Sequence, residues 1–202
     1  MTAAILALVA YLIGSISFAI VVSRAFSLPD PRSYGSQNPG ATNVLRTGRK
    51  VPAALTFFGD GAKGWLAVVI AARFAEPGAV EATMAAAGFA VVLGHVFPVF
   101  FRFEGGKGVA TALGVLVALD PYVAAGTAAT WIVMAVFFRI SSLAALVAAL
   151  FAPFFMLLLY NAAHPFFMSV CAISALLVWR HKANIRNLLA GTEGRLGRSR
   201  NV

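Results

Sequence analysis

Hydrophobic residues run through this chain in long blocks separated by short polar intervals. A helix crosses a hydrocarbon core of about 30 Å with roughly 20 apolar residues. Ala3–Val22, Val51–Ala72 and Ala82–Phe101 fit that length; Asp60 and Lys63 interrupt the second, and His95 lies in the third. From Val109 to Phe138 the apolar run is broken only by Asp120-Pro121. As one helix it would reach about 45 Å, too long for a single crossing. Proline cannot continue a helix without losing a hydrogen bond, and it biases the preceding residue away from helical angles. The pattern therefore predicts a short span over 107–119 and another over 121–138. Ser142–Tyr160 and Pro165–Trp179 complete a set of seven. No charge precedes Arg24, so the first block lacks the basic start of a signal peptide and reads as a retained transmembrane helix.

Composition sharpens this into a fold class. Of 202 residues, 60% are hydrophobic and 11% charged, where soluble domains carry roughly a quarter charged residues. That disfavours a soluble globular domain and excludes a disordered chain. With the N-terminus outside, the inner segments are 24–50, 102–107, 139–141 and 180–202. They hold Arg24, Arg32, Arg46, Arg49, Lys50, Arg102, Lys107, Arg139, Arg180, Lys182, Arg186, Arg195, Arg198 and Arg200, fourteen of the sixteen basic residues. A single span over 109–138 would turn Arg139 and the basic tail outward, against the positive-inside rule. The expected fold is an all-α integral membrane protein with seven transmembrane helices, N-terminus outside and C-terminus cytoplasmic. It forms one domain over 1–202, with a basic cytoplasmic tail at 180–202. The outer connections, Phe74–Glu81, Asp120-Pro121 and Asn161–His164, are minimal. Cys171, the lone cysteine, permits no internal disulfide. The net charge of +9 fits an anionic lipid surface or an anionic substrate; long apolar runs make nucleic acid the poorest fit.

The polar residues gather on the inner side. The first inner loop reads Gly35-Ser36-Gln37-Asn38-Pro39-Gly40-Ala41-Thr42-Asn43, followed by Arg46. Such a loop can aim backbone N–H and hydroxyl groups at an anion, and Arg46 adds a planar fork suited to phosphate. It reads equally as a capped turn built by Ser36 and Asn38. The segment Glu104-Gly105-Gly106-Lys107-Gly108-Val109-Ala110-Thr111 runs into a helix. A glycine loop feeding a helix N-terminus offers free N–H donors and the positive end of the helix dipole. It lacks the Walker order of residues. Asp60 and Lys63 are three apart on one helix face and can pair, as a structural couple or as a site wall. His95 lies near the inner end of its span. His181 and Asn184 share a face if the last helix continues inward, with Glu193 beyond. No Ser–His–Asp arrangement is evident, and Phe100, Ser169 and Arg186 stand five residues after the three histidines, so an H-x-x-x-x-D pattern is absent. No carboxylate–histidine cluster suggests a metal.

Taken together, these segments resemble the PlsY family, the bacterial acyl-phosphate:glycerol-3-phosphate acyltransferases. The resemblance runs from Gly14-Ser15 to Glu193. Three motifs carry it: Gly35-Ser36-x-Asn38-Pro39-Gly40-Ala41-Thr42-Asn43-x-x-Arg46, Gly105-Gly106-Lys107-Gly108-Val109-Ala110-Thr111, and His181-x-x-Asn184-Ile185 with Gly191-Thr192-Glu193. Asp60-x-x-Lys63-Gly64 and Gly94-His95-x-x-Pro98 accompany them. Glu104 stands where the family often has a basic residue. The resemblance implies seven helices in the bacterial inner membrane and an active site on the cytoplasmic side. It implies transfer of a fatty acyl group from acyl phosphate to the 1-hydroxyl of glycerol 3-phosphate, giving lysophosphatidic acid and phosphate. It carries over Ser36, Arg46, Lys107, His181 and Asn184 as catalytic residues. Asn38, Thr42, Asn43, Gly105, Gly106, Gly108 and Thr111 are expected at the substrate phosphates. Asp60, Lys63, His95 and Glu193 are expected to support them. Neither a cofactor nor an obligate protein partner is expected.

Lys107 and the loop amides are expected to hold acyl phosphate, with Arg46, His181 and Asn184 near glycerol 3-phosphate. The proton acceptor is either a substrate phosphate oxygen or His181. Two other classes remain at this stage. A small anion transporter would also use glycine breaks and an intramembrane Asp60/Lys63 pair, although no inverted repeat is evident. A membrane scaffold would leave all three motifs without a role.

Overall fold

The structure, a computed structural model, describes residues 1–196. Arg198 and Arg200 lie outside the described residues. The elements are α1 (Thr2–Gly14), α2 (Phe18–Ala25), α3 (Ala41–Leu45), α4 (Lys50–Phe74), α5 (Val80–Val96), α6 (Val109–Leu119), α7 (Pro121–Phe138), α8 (Ser141–Leu159), α9 (Pro165–Arg180) and α10 (Lys182–Leu189). Among the described residues five helical stretches are long and apolar enough to cross a membrane: 2–25, α4, a stretch from Val80 to Phe101, α7 and α8. The pair α9–α10, bent by 58° at its break, passes the same length and apolarity test only when its two helices are taken together. At 11 residues, α6 is about 16 Å long and falls short of a full crossing.

The split at Asp120-Pro121 is where the pattern placed it. Asp120 takes an extended conformation and accepts hydrogen bonds from the amides of Tyr122 and Val123 at 2.8 and 2.9 Å. Proline at the first helical position has no N–H to leave unpaired. Tyr160 donates to the other Asp120 oxygen at 3.0 Å, tying α8 to this corner.

Two expected spans differ in detail. The first breaks at Ser15-Ile16-Ser17 between α1 and α2. A break in a membrane frees backbone groups that must find partners inside the protein. Lys63 supplies one: its Nζ donates to the Ile16 carbonyl at 2.6 Å. The third stops at Val96, two residues before Pro98, and continues only as a 3₁₀ turn over Val99–Phe101. Tyr11 donates to the Phe97 carbonyl there at 2.8 Å.

Glycines let two helix pairs approach closely. A Cβ on Gly14 would strike the Val91 carbonyl, and one on Gly94 the Tyr11 carbonyl, so α1 lies backbone to backbone on α5. Gly64 and Gly114 do the same for α4 and α6 against the Thr111 and Gly61 carbonyls. Small residues at such contacts are what helix association in lipid requires. The pair α4–α6 also fixes depth: Gly61 faces the Ala110 carbonyl. The start of α6 is therefore level with Asp60, ten residues or about 15 Å along α4 from Lys50.

Candidate functional site

The site grows out of the segment before α6. Gly108 takes φ +86°, a conformation that an L side chain adopts only under strain. Among the described residues the amides of Lys107, Gly108, Val109 and Ala110 have no protein acceptor, as the first N–H groups of a helix do not. The helix dipole adds positive potential at the same place. Gly105 and Gly106 have no room for side chains. A Cβ on Gly105 would strike the carbonyls of His95 and Val96, and one on Gly106 would enter the His95 ring and press on the Pro39 carbonyl. The Gly106 amide donates to the His95 carbonyl at 3.1 Å.

Side chains from distant segments meet at Lys107. Its ammonium donates to Asn184 Oδ1 at 2.6 Å. Asn184 Nδ2 donates to Glu193 Oε1 at 2.7 Å, and Ser142 Oγ donates to the same oxygen at 2.6 Å. Thr42 Oγ1 lies 3.3 Å from Ser141 Oγ. Arg46 reaches from α3's end between Gly35 and Gly194. The tail is held by the Leu196 amide on the Arg139 carbonyl at 2.6 Å. The first loop, the glycine segment, the α7–α8 corner and the tail thus converge.

Burial pushes the Lys107 ammonium down to about 8; Glu193 opposes this, while Arg180 and Arg46 add to it. His181, just past the end of α9, is 2% exposed. Burial pushes it down to about 4, against its bond to Leu177 and with further lowering from Lys107 and Arg180. The ring is therefore neutral near pH 7. Its Nδ1, 2.7 Å from the Leu177 carbonyl, is the donor, which leaves Nε2 as the acceptor. The helix bends by 58° at this residue, so the last helix does not continue straight, yet Asn184 still reaches Lys107.

Several expected residues take other places. Asn43 is 1% exposed. Its amide donates to the carbonyls of Pro31 and Tyr34 at 2.7 and 3.2 Å, and its oxygen accepts from the Ser36 amide at 3.0 Å. With these bonds to backbone, its side chain shapes the first loop. Thr111, in the first turn of α6, is fully buried, its carbonyl packed against Gly64 of α4 and its hydroxyl without a hydrogen-bond partner among the described residues. Ser36 and Thr42 are exposed and Asn38 half-buried on the same loop. Lys63 lies 2.9 Å from Asp60, which lies 3.5 Å from His95 Nδ1. This trio sits beneath the glycine segment and touches it through His95. Glu104 lies 3.6 Å from Arg32, which also binds Asp30 at 2.8 Å.

Arg180 is the residue that sequence reasoning missed, having been counted among the inner charges. Its Nε donates to the Gly106 carbonyl at 3.2 Å and its terminal nitrogen to the Gly105 carbonyl at 2.9 Å. Ser142 was missed as well, and nothing in its local pattern marks it. Among the described residues no group of three or more His, Cys, Asp or Glu side chains could hold a metal.

Fold and site define an all-helical integral membrane protein with a cationic, amide-lined face built from loops at one end of its helices. The family model described as glycerol-3-phosphate acyltransferase matches residues 4–191, and the chain belongs to this family, the PlsY family. A glycerol-3-phosphate acyltransferase of Burkholderia ambifaria is 60% identical over 192 residues, covering 95% of this chain and 89% of the relative. One from Cupriavidus necator is 59% identical over 197 residues, covering 97% of each. The crystal structure of PlsY, an integral membrane glycerol 3-phosphate acyltransferase, in its glycerol 3-phosphate form superposes with a TM-score of 0.89 at 40% identity, covering 98% of this chain and 96% of that one. The lysophosphatidic acid form gives 0.87 at 39% identity, with the same coverage.

Proposed function

We propose that this protein transfers a fatty acyl group from acyl phosphate to the 1-hydroxyl of glycerol 3-phosphate, giving lysophosphatidic acid and phosphate. It does so for bacterial phospholipid synthesis, at the cytoplasmic side of the inner membrane. The whole chain, 1–202, acts as one seven-span domain with its N-terminus outside and its C-terminus cytoplasmic. The α1–α2 pair, α4, α5, α6, α7, α8 and α9 are the spans, α6 the short one. The observation that carries this reading is the run of amides at 107–110, without acceptors among the described residues, beside the Lys107 ammonium. The glycerol 3-phosphate and lysophosphatidic acid forms of PlsY support the acceptor and the product.

Lys107 and the amides hold the phosphate of the donor. Arg46, Ser36, Asn38, Thr42, His181 and Asn184 serve the acceptor. The 1-hydroxyl oxygen attacks the acyl carbonyl carbon, and a new carbon–oxygen bond forms. The bond from that carbon to the phosphate oxygen breaks, and phosphate leaves with the electron pair. Oriented donors where charge develops are worth about 10²–10³ in rate each. The hydroxyl proton passes to a substrate phosphate oxygen; burial holds His181 mainly in its neutral form, so its Nε2 accepts a hydrogen bond from the acceptor substrate. Glu193 ties the tail over Asn184. No cofactor takes part.

Purified protein in detergent, given acyl phosphate and radiolabelled glycerol 3-phosphate, is expected to form labelled lysophosphatidic acid, and none with acyl-CoA. Detergent provides no sealed compartment, so an anion transporter would make no product. Absence of product with acyl phosphate, or equal rates with acyl-CoA, would overturn the proposal.

A further inference from the structure

Arg180 ends α9 half-buried. Among the described residues it forms no ion pair; its Nε and a terminal nitrogen go to two consecutive backbone carbonyls, those of Gly106 and Gly105. A guanidinium taken from water is normally matched to a carboxylate. Here it is matched to the oxygen ends of two peptide dipoles.

The geometry of the trans peptide gives that choice a consequence. In each peptide plane the C=O and the following N–H point in opposite directions. Fixing the Gly105 oxygen on Arg180 sends the Gly106 N–H the other way, onto the His95 carbonyl at 3.1 Å. Fixing the Gly106 oxygen on Arg180 turns the Lys107 N–H away from Arg180, and that amide has no acceptor among the described residues. Glycines hold no such orientation by themselves, because they populate both signs of φ. A flipped 106–107 peptide would present a carbonyl oxygen to a bound anion in place of an N–H. His95 contributes through its carbonyl and ring on one side of the segment, and Arg180 through its fork on the other.

We propose that Arg180 is a positioning residue for the donor phosphate: it gathers the glycine carbonyls on its own side so that the Lys107 amide and those after it form the anion cradle. This rests on the function proposed above. Two acceptors on successive residues require two donors in a fixed plane. Arginine provides them and lysine, a single point charge, does not.

The test uses the full chain in detergent with Arg180→Gln and Arg180→Lys. The readouts are KM for each substrate, inhibition by inorganic phosphate, and calorimetric binding of inorganic phosphate to the enzyme without donor. Hydrogen bonds from a charged donor are strong enough that their loss predicts a tenfold or greater change. For Arg180→Gln, KM for acyl phosphate rises about tenfold or more, and phosphate inhibition and binding weaken by a like factor. KM for glycerol 3-phosphate stays within about twofold, and the Arg180→Gln melting temperature stays within a few degrees of the unaltered protein's. Arg180→Lys falls between and covers the case in which Arg180→Gln does not fold. Phosphate binding and KM for acyl phosphate both unchanged within twofold would overturn the assignment. So would equal rises in both KM values together with a lowered melting temperature. If the unaltered protein transfers no acyl group, the proposed function fails, while the calorimetric comparison still decides whether Arg180 governs phosphate binding.

Discussion

Replacing Gly106 with alanine isolates the cradle from the fold. The added methyl would fall inside contact distance of the His95 ring and 3.0 Å from the Pro39 carbonyl oxygen. Carbon contacts relax at about 3.5–4.0 Å, so the segment must move by about 1 Å. His95 cannot easily yield: it is buried, with Asp60 on its other nitrogen's side at 3.5 Å. A displacement of about 1 Å at a positioned group costs about 10²-fold in rate, equivalent to about 2.7 kcal/mol of transition-state stabilisation. The overpacking itself costs about 1–3 kcal/mol of stability. Gly61→Ala is the matched control, since its methyl meets only the Ala110 carbonyl at 3.6 Å, an ordinary contact, and alanine favours a helix interior. The assay is kcat/KM in detergent beside a thermal melt. Gly106→Ala is expected to lose about a hundredfold and Gly61→Ala less than threefold. Gly106→Ala at more than a third of the unaltered rate would refute the claim that close packing on His95 sets the cradle.

Three further outcomes follow from named contacts. Phosphate groups with a second ionisation near 6 are fully charged above about pH 7.5, so an alkaline fall in kcat/KM belongs to the protein. Lys107, lowered to about 8, is charged below that pH and neutral above it. A pH profile is therefore expected to fall through about 8, and Lys107→Arg to abolish the fall; a flat profile to pH 9.5 contradicts it. Lys63→Met leaves the Ile16 carbonyl and the Asp60 carboxylate without their cation, a loss of about 3–5 kcal/mol. Its melting temperature should drop by several degrees, and adding Asp60→Asn should recover part of it; no recovery would deny the pairing. Gly114→Val forces α6 off the Gly61 carbonyl, so folded yield in detergent should collapse, whereas an unchanged yield would show that the close approach is dispensable.

The apolar pattern placed the long helices well, because helix length in a bilayer is set by length and apolarity alone. The corner at Asp120-Pro121 was legible for the same local reason: both the cap and the proline act within a few residues. The α1–α2 break was not, since its partner, Lys63, lies 47 positions away. Within the site, the glycine segment and Lys107 could be read because helix N-termini and cations are local signals. Asn43 was ambiguous from sequence, as the same amide that binds an anion also closes a turn, and its turn-closing bonds show only in its three backbone partners. The burial of Thr111 was not legible, because the packing of its turn of α6 depends on Gly64 of another helix. Arg180 looked like one more inner charge; its two carbonyl partners sit more than seventy positions back along the chain.

Acyl transfer from a mixed anhydride with phosphate as the leaving group breaks the bond between the acyl carbon and the bridging oxygen. Mass spectrometry of the products from acyl phosphate labelled with ¹⁸O in the bridging position tests it most directly. With glycerol 3-phosphate and the purified protein, unlabelled lysophosphatidic acid and one ¹⁸O in each phosphate released are expected. Label in the acyl product, or phosphate release without lysophosphatidic acid, would contradict it.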